Sequence, residues 1–243
     1  SDLYLIINLD LVMKNINLIR SKGFYGEIVA RMVITKPDVY EQVKHLIDTG
    51  KFDSYHFQID AGFYKNDFIE EEFRKFVDEY NLSISLLIDY WVEEMKSGKV
   101  LKIYPFVGIF RDIYYKTKTR LRCGAGYANF TITTKGDLSA CPIINSVKDF
   151  YCGDIDKGIT REIDCGEPCD KCSYYDLCGG RCLYSNYAKL WPRVGEDLIC
   201  DTIKHLIDSL KSKLKEVRGL IDKGVIKEND LEYEKYFGPE IVP

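Results

Sequence analysis

The sequence predicts an α/β region followed by a small cysteine-rich module of β-hairpin, loop and helix. Three observations carry this. Residues 1–60 alternate short apolar runs with amphipathic stretches, the pattern of parallel strands joined by crossover helices. Residues 67–117 place apolar and aromatic side chains at helical spacing. All nine cysteines of the 243-residue chain fall between 123 and 200.

The β/α stretch reads in order. Residues 4–8 (YLIIN) form a short apolar strand. Asp10 caps a helix carrying Leu11, Met13, Ile16 and Ile19, which Gly23 ends. Residues 27–35 are a strand, apolar enough to be buried on both faces. Pro37 and Asp38 open a helix with Val39, Val43, Leu46 and Ile47 inward, and Gly50 terminates it. Residues 54–60 give a further strand. Two of these strands carry a polar residue in an apolar setting, Arg31 and Gln58.

Three helices are expected next. Asp67 caps the first, with Phe68, Ile69, Phe73, Phe76 and Val77 on its apolar face; Asn81 interrupts it. Ser83 starts the second, with Leu86, Leu87, Tyr90, Trp91 and Met95, ending at Gly98. The third runs from Pro105 to Tyr115. Periodic stripes of this kind mean buried faces before they mean cofactor contacts.

Residues 128–134 then alternate, Lys135-Gly136-Asp137 turns, and the chain returns to Cys141, a β-hairpin that brings Cys123 and Cys141 to one end of a small sheet. Residues 201–221 form an amphipathic helix, capped by Asp201, whose stripe from Ile203 to Ile221 packs on the chain's own domain.

Composition narrows the function classes. Apolar residues make up 46% and charged residues 30%, enough for a packed core and against global disorder. A net charge of −4 argues against a nucleic-acid groove or a membrane-surface patch. No apolar run is long enough for a membrane span, and no signal peptide is visible. That points to a reducing, cytoplasmic compartment, where clustered cysteines bind metal more often than they pair, and nine is in any case an odd number.

Thiolates select soft metals, so the choice lies between zinc and iron–sulfur. The three histidines, His45, His56 and His205, all lie outside the cysteine stretch. The count suits two four-ligand sites with Cys152 or Cys165 as the spare. Gly179 and Gly180, between Cys178 and Cys182, suit the close backbone approach of an iron–sulfur cluster. Cys165-x3-Cys169-x2-Cys172 reproduces the spacing of the catalytic motif of radical S-adenosylmethionine enzymes. It comes after the β/α region, Lys171 precedes its last cysteine, and no barrel follows, so its context argues for chance spacing.

The full pattern is more specific. Cys123-x12-Gly136-x4-Cys141, then Cys169-x2-Cys172-x5-Cys178-x3-Cys182, then Cys200 resembles the seven-cysteine motif of the SPASM domain. That domain is the C-terminal extension of many peptide- and protein-modifying radical S-adenosylmethionine enzymes, such as the anaerobic sulfatase-maturating enzymes. The β/α stretch before it resembles, more weakly, the C-terminal half of their partial (β/α)6 barrel. The resemblance divides the chain into a barrel portion with linking helices (1–118), a SPASM domain (119–200) and a C-terminal helix and tail (201–243).

The resemblance also implies two auxiliary iron–sulfur clusters of the [4Fe-4S] type. Cys123, Cys141 and Cys182 would hold one; Cys169, Cys172, Cys178 and Cys200 would hold the other. In the sulfatase-maturating enzymes a cysteine shortly after the first completes the first cluster. Residues 124–129 contain none, so Cys165, Cys152 or an open position remains. On the barrel analogy, strands four to six are present, and three strands with the catalytic cluster loop precede Ser1. The catalytic residues would lie there, and this chain alone would not cleave S-adenosylmethionine. Arg31 and Gln58 would face the barrel interior on the S-adenosylmethionine side. The parent would use S-adenosylmethionine and a catalytic [4Fe-4S] cluster, a peptide or protein substrate, and an electron donor such as flavodoxin or ferredoxin. A zinc-stabilised interaction module and a ferredoxin-like electron carrier are the alternatives.

Overall fold

A computed structural model describes residues 9–60 and 68–233. The strand expected over 4–8 and the cap expected at Asp67 lie outside these residues. Helix α1 (Leu9–Ser21) is followed by β1 (Val29–Ile34), α2 (Val39–Asp48) and β2 (Ser54–Ile59). Asp10 sits in the first turn of α1, where its charge favours the helix dipole. Strands β1 and β2 pair in parallel, from Val29 opposite Ser54 to Ile34 opposite Ile59. A further short segment joins on the other side of β2, where the Tyr55 N–H donates to the Lys102 carbonyl at 2.8 Å.

The sheet has unlike faces, because side chains alternate along each strand. Ala30, Ile34, Tyr55, Phe57 and Ile59 point into the main core. The opposite face carries Arg31 and Val33 beside His56 and Gln58. Strand β1 is therefore not buried on both faces, as its composition suggests: Val33 is 62% exposed.

The stretch 70–96 is one helix, α3 (Glu70–Lys96), not two interrupted at Asn81. The stripe Val77, Tyr80, Ile84, Leu87, Ile88, Trp91 and Met95 runs unbroken across Asn81 and Ser83. Burial of that stripe outweighs the few tenths of a kcal/mol by which Asn and Ser disfavour a helix. Ser83 also gains a partner, accepting from the Tyr40 N–H at 2.8 Å. Helix α4 (Tyr104–Tyr115) packs against β2, and Trp91, Phe106, Phe110 and Phe57 meet edge to face.

The cysteine region forms a second, smaller core around a four-stranded antiparallel sheet in the order β3 (Thr131–Ile132), β4 (Asp137–Ser139), β5 (Tyr151–Asp154), β6 (Gly158–Ile159). The expected hairpin is β3–β4, and Gly136 takes the left-handed backbone (φ +87°) that its turn requires. Leu121, Ala125, Ala140, Ile144, Cys152, Ile163 and Leu183 fill this core. Short helices α5 (Tyr175–Cys178) and α6 (Leu183–Ala188) follow.

The last long helix, α7, runs Arg193–Ser212 and gives way at Lys213 to α8 (Leu214–Asp222). It starts eight residues before the expected position, so Asp201 lies in mid-helix, paired to Lys204, rather than at a cap. Pro192 stands at the N-cap, and the first turns carry Gly195, a poor helix signal. As expected, the apolar stripe of α7 packs on the chain itself: Ile199, Ile203, Leu206, Ile207 and Leu210 enter the core built by α3 and the parallel sheet. Cys200 rides on this helix.

Candidate functional site

The run from Cys169 to Cys182 is built from tight local structure. A single 3-10 turn covers Cys169–Lys171, and α5 ends at Cys178. Gly179, Gly180 and Arg181 then have φ of +74°, +84° and +60°. Three successive left-handed residues turn the chain back on itself between Cys178 and Cys182. Glycine bears such conformations freely, whereas arginine adopts them at a cost of about 1–2 kcal/mol. Gly180 has a second constraint, since a Cβ there would lie 2.3 Å from the Cys165 Sγ.

Cys169, Cys172, Cys178 and Cys200 line one cavity of about 190 Å³, with Tyr175 and Arg181 in its wall. Three of the four come from the run and the fourth from α7 across the cavity. Burial pushes the Cys178 and Cys200 thiols up, and the Arg181 guanidinium acts against it at both. A hydrogen bond with Cys165 holds Cys169 toward thiolate, at about 7, and keeps Cys165 protonated.

Cys123, Cys141 and Cys182 form a separate group. Burial pushes Cys123 up, and the charges of Cys182 and Cys141 add to the effect; Cys141 is pushed up by burial and by Cys182. Cys123 and Cys141 pack against the smaller core, and Cys182 stands at the start of α6, whose Leu183 enters that core. Among the described residues, no three or more Cys, His, Asp or Glu side chains close to the geometry of a single metal ion.

The two spare cysteines differ. Cys152 is wholly buried in the smaller core, with its Sγ 3.7 Å from the Phe150 carbonyl. Cys165 adjoins Cys169 and Tyr175, on the side of the four-cysteine cavity.

Arg31 and Gln58 come together on one face of the parallel sheet, where the Arg31 Nη2 donates to the Gln58 Oε1 at 3.4 Å. Wholly buried His56 pairs in register with Arg31 on the same face. A lone histidine in an apolar run carries no spacing signal that would place it there.

A second cavity, of about 270 Å³, opens at the carboxyl ends of β1 and β2. Open parallel sheets bind their ligands at that end. Ile34, Asp60, Glu72, Phe73 and Trp191 line it. Trp191 joins it to the cysteine region, because the Arg181 guanidinium lies 5.7 Å from its ring centre. No sequence spacing links these residues, which come from four separate segments.

No protein-family profile and no curated protein matches the sequence. Solved structures do. Native anSMEcpe with bound AdoMet, an anaerobic sulfatase-maturating radical SAM enzyme, aligns with a TM-score of 0.55 at 15% identity over 87% of this chain and 61% of that one. Native anSMEcpe with bound AdoMet and Kp18Cys peptide aligns at 0.55, with 16% identity over 87% of this chain and 62% of that one. Native anSMEcpe with AdoMet and Cp18Cys peptide gives 0.56 at 16% identity, covering 87% and 63%. The likeness is one of fold, a mixed helix and strand architecture shared with part of a radical SAM enzyme. The chain spans 61–63% of the length of these structures. No described helix is long and apolar enough to cross a membrane.

Proposed function

We propose that this chain is the auxiliary-cluster part of a radical S-adenosylmethionine enzyme that modifies a peptide or protein side chain in the cytoplasm. The observation that carries the reading is the single cavity lined by Cys169, Cys172, Cys178 and Cys200. Four thiolates bound to one zinc at about 2.3 Å leave no space between them. A cavity of about 190 Å³ lined by four cysteines is room for a polynuclear cluster. The donors are all soft sulfur, and Gly179 and Gly180 leave the backbone free to approach.

Cys169, Cys172, Cys178 and Cys200 would hold one [4Fe-4S] cluster, and Cys123, Cys141 and Cys182 a second. Such groups supply one-electron redox chemistry when bound. The second set keeps a position open to substrate: Cys152 is engaged in the core, and Cys165 leans toward Cys169. Cys165 is the ligand to test if that position proves closed. With Cys165 beside Cys169 and both near this cavity, the Cys165–Cys169–Cys172 spacing belongs to the auxiliary region, not to a catalytic motif.

The chain's own residues supply binding and orientation. The Arg31–Gln58 pair contacts S-adenosylmethionine on its face of the sheet, and the strand-end cavity receives a peptide segment against Phe73 and Trp191. Residues outside this chain would supply the catalytic cluster. The electron source is a flavodoxin or ferredoxin.

Anaerobic reconstitution tests the reading. The chain should turn brown and hold about eight irons and eight sulfides, the content of two [4Fe-4S] clusters. Colourless protein with stoichiometric zinc after that procedure overturns it in favour of a structural zinc module. Iron and sulfide with free electron transfer to acceptors, and no affinity for peptide, favours a ferredoxin-like carrier.

A further inference from the structure

Among the described residues, Arg181 is the one buried cation lining the four-cysteine cavity, at 6% exposure. Its Nη1 lies 3.8 Å from the Cys200 Sγ and 3.9 Å from the Glu196 Oε2. Its Nη2 donates to the Ser185 Oγ at 3.2 Å, and the guanidinium stacks over Trp191. Arg122 is also buried and acts on Cys178, but its charge is matched by Asp112 at 2.8 Å; Lys189, Lys204 and Arg193 lie at the rim, where water and salt screen them.

Two features show that the arginine is held at some expense. Its backbone is left-handed, at φ +60°, in a place where the two residues before it are glycines. Its partner Glu196 is half-buried, at 15% side-chain exposure, and its buried Oε1 has no hydrogen-bond partner among the described residues. A guanidinium never deprotonates, so the charge is permanent. Helix α7 carries both Glu196 and Cys200, one turn apart, and so presents the anchor and the thiolate to the same guanidinium.

We propose that Arg181 is a positioning residue that sets the reduction potential of the group held by Cys169, Cys172, Cys178 and Cys200, with Glu196 as its anchor and opposing charge. The proposal rests on the cluster reading of this cavity. One-electron reduction of a cluster held by these cysteines would add one negative charge to the site. No bond forms or breaks, and an external low-potential donor is oxidised in the same step. A fixed cation beside Cys200 stabilises the more negative state and raises the potential, and a hydrogen bond to a ligand sulfur acts the same way. The Glu196 carboxylate acts with the opposite sign.

The test is a potentiometric titration of the anaerobically reconstituted chain, followed by electron paramagnetic resonance. Wild type, R181Q, R181K and E196Q are compared, with dithionite as donor. The signal of this site is the one that C200S removes. R181Q should move its midpoint down by at least a tenfold change in the reduced-to-oxidised ratio, about 59 mV for one electron. R181K should keep the midpoint near wild type, and E196Q should move it up. A loaded R181Q with an unmoved midpoint overturns the role of Arg181 and leaves the cluster reading standing. Wild-type protein with no iron or sulfide overturns both. If R181Q does not load, E196Q decides: an upward shift supports the proposal, and an unmoved or lowered midpoint overturns it.

Discussion

Arg122 and Asp112 form an ion pair at 2.8 Å with side chains only 3% and 1% exposed. The pair joins helix α4 to the cysteine region. The Arg122 Nε also donates to the Leu177 carbonyl at 2.9 Å, the residue before Cys178. One buried guanidinium thus ties the main core to the wall of the four-cysteine cavity.

Removing one member of this pair leaves the other charged and buried. D112N should lower stability by about 3–5 kcal/mol, the usual cost of stranding a buried charge. In a chain of this size, each kcal/mol corresponds to about 2–4 °C in Tm. Thermal unfolding of D112N, R122M and the D112L/R122M double variant checks this. The double variant should recover much of the loss, since neither charge is then left alone.

Two glycines should respond oppositely to alanine. G180A meets the Cys165 Sγ at 2.3 Å and must keep φ +84°, so it should destabilise the chain by more than about 1 kcal/mol. Gly219 lies within α8 with nothing within 4 Å of an added Cβ. G219A should stabilise the chain by about 0.5–1 kcal/mol. Denaturant melts of the two variants give the sign directly.

Cys152 and Cys200 separate packing from ligation. C152A removes a methyl-sized group from the smaller core and should cost about 1 kcal/mol, with the iron content unchanged. C200S should lose about half the iron of the reconstituted protein, since one of the two proposed cluster sites then lacks a ligand. Iron and sulfide assays read the difference.

The fold should weaken in alkali through Tyr55. Burial pushes its phenol from 10.0 to about 12. Burial disfavours the phenolate, so the folded state prefers the neutral ring. The resulting stability is fully present below pH 10 and is lost as the pH rises toward 12. Tyr80, wholly buried, is pushed in the same direction. A Y55F variant should show a shallower fall in stability over that window in alkaline melts.

Strands β1 and β2, helix α2 and the β3–β4 hairpin could be read from the sequence because each is announced by its own residues. Val39, Val43 and Ile47 mark one helix face, and Gly136 marks one turn. What failed depended on partners far along the chain. Asn81 looks like a break until Tyr40 and the core beneath α3 are in place. The start of α7 is masked by Pro192 and Gly195, yet that early start puts Cys200 inside a helix. At the site, spacing groups Cys169, Cys172 and Cys178, but Cys200 reaches them only through the packing of α7. Arg181 gives no signal at all, since one arginine among cysteines has no period to betray it.

The chain has two tryptophans, and they sit in unlike places. Trp91 is sealed in the main core, its Nε1 donating to the Leu101 carbonyl at 2.8 Å. Trp191 forms the wall between the strand-end cavity and the Arg181 guanidinium. The molecule therefore contains its own optical probe. A peptide bound in the cavity, as proposed, would change the surroundings of one indole and leave the other untouched. In a W91F background the emission of Trp191 reports that entry, and in W191F the signal stays constant.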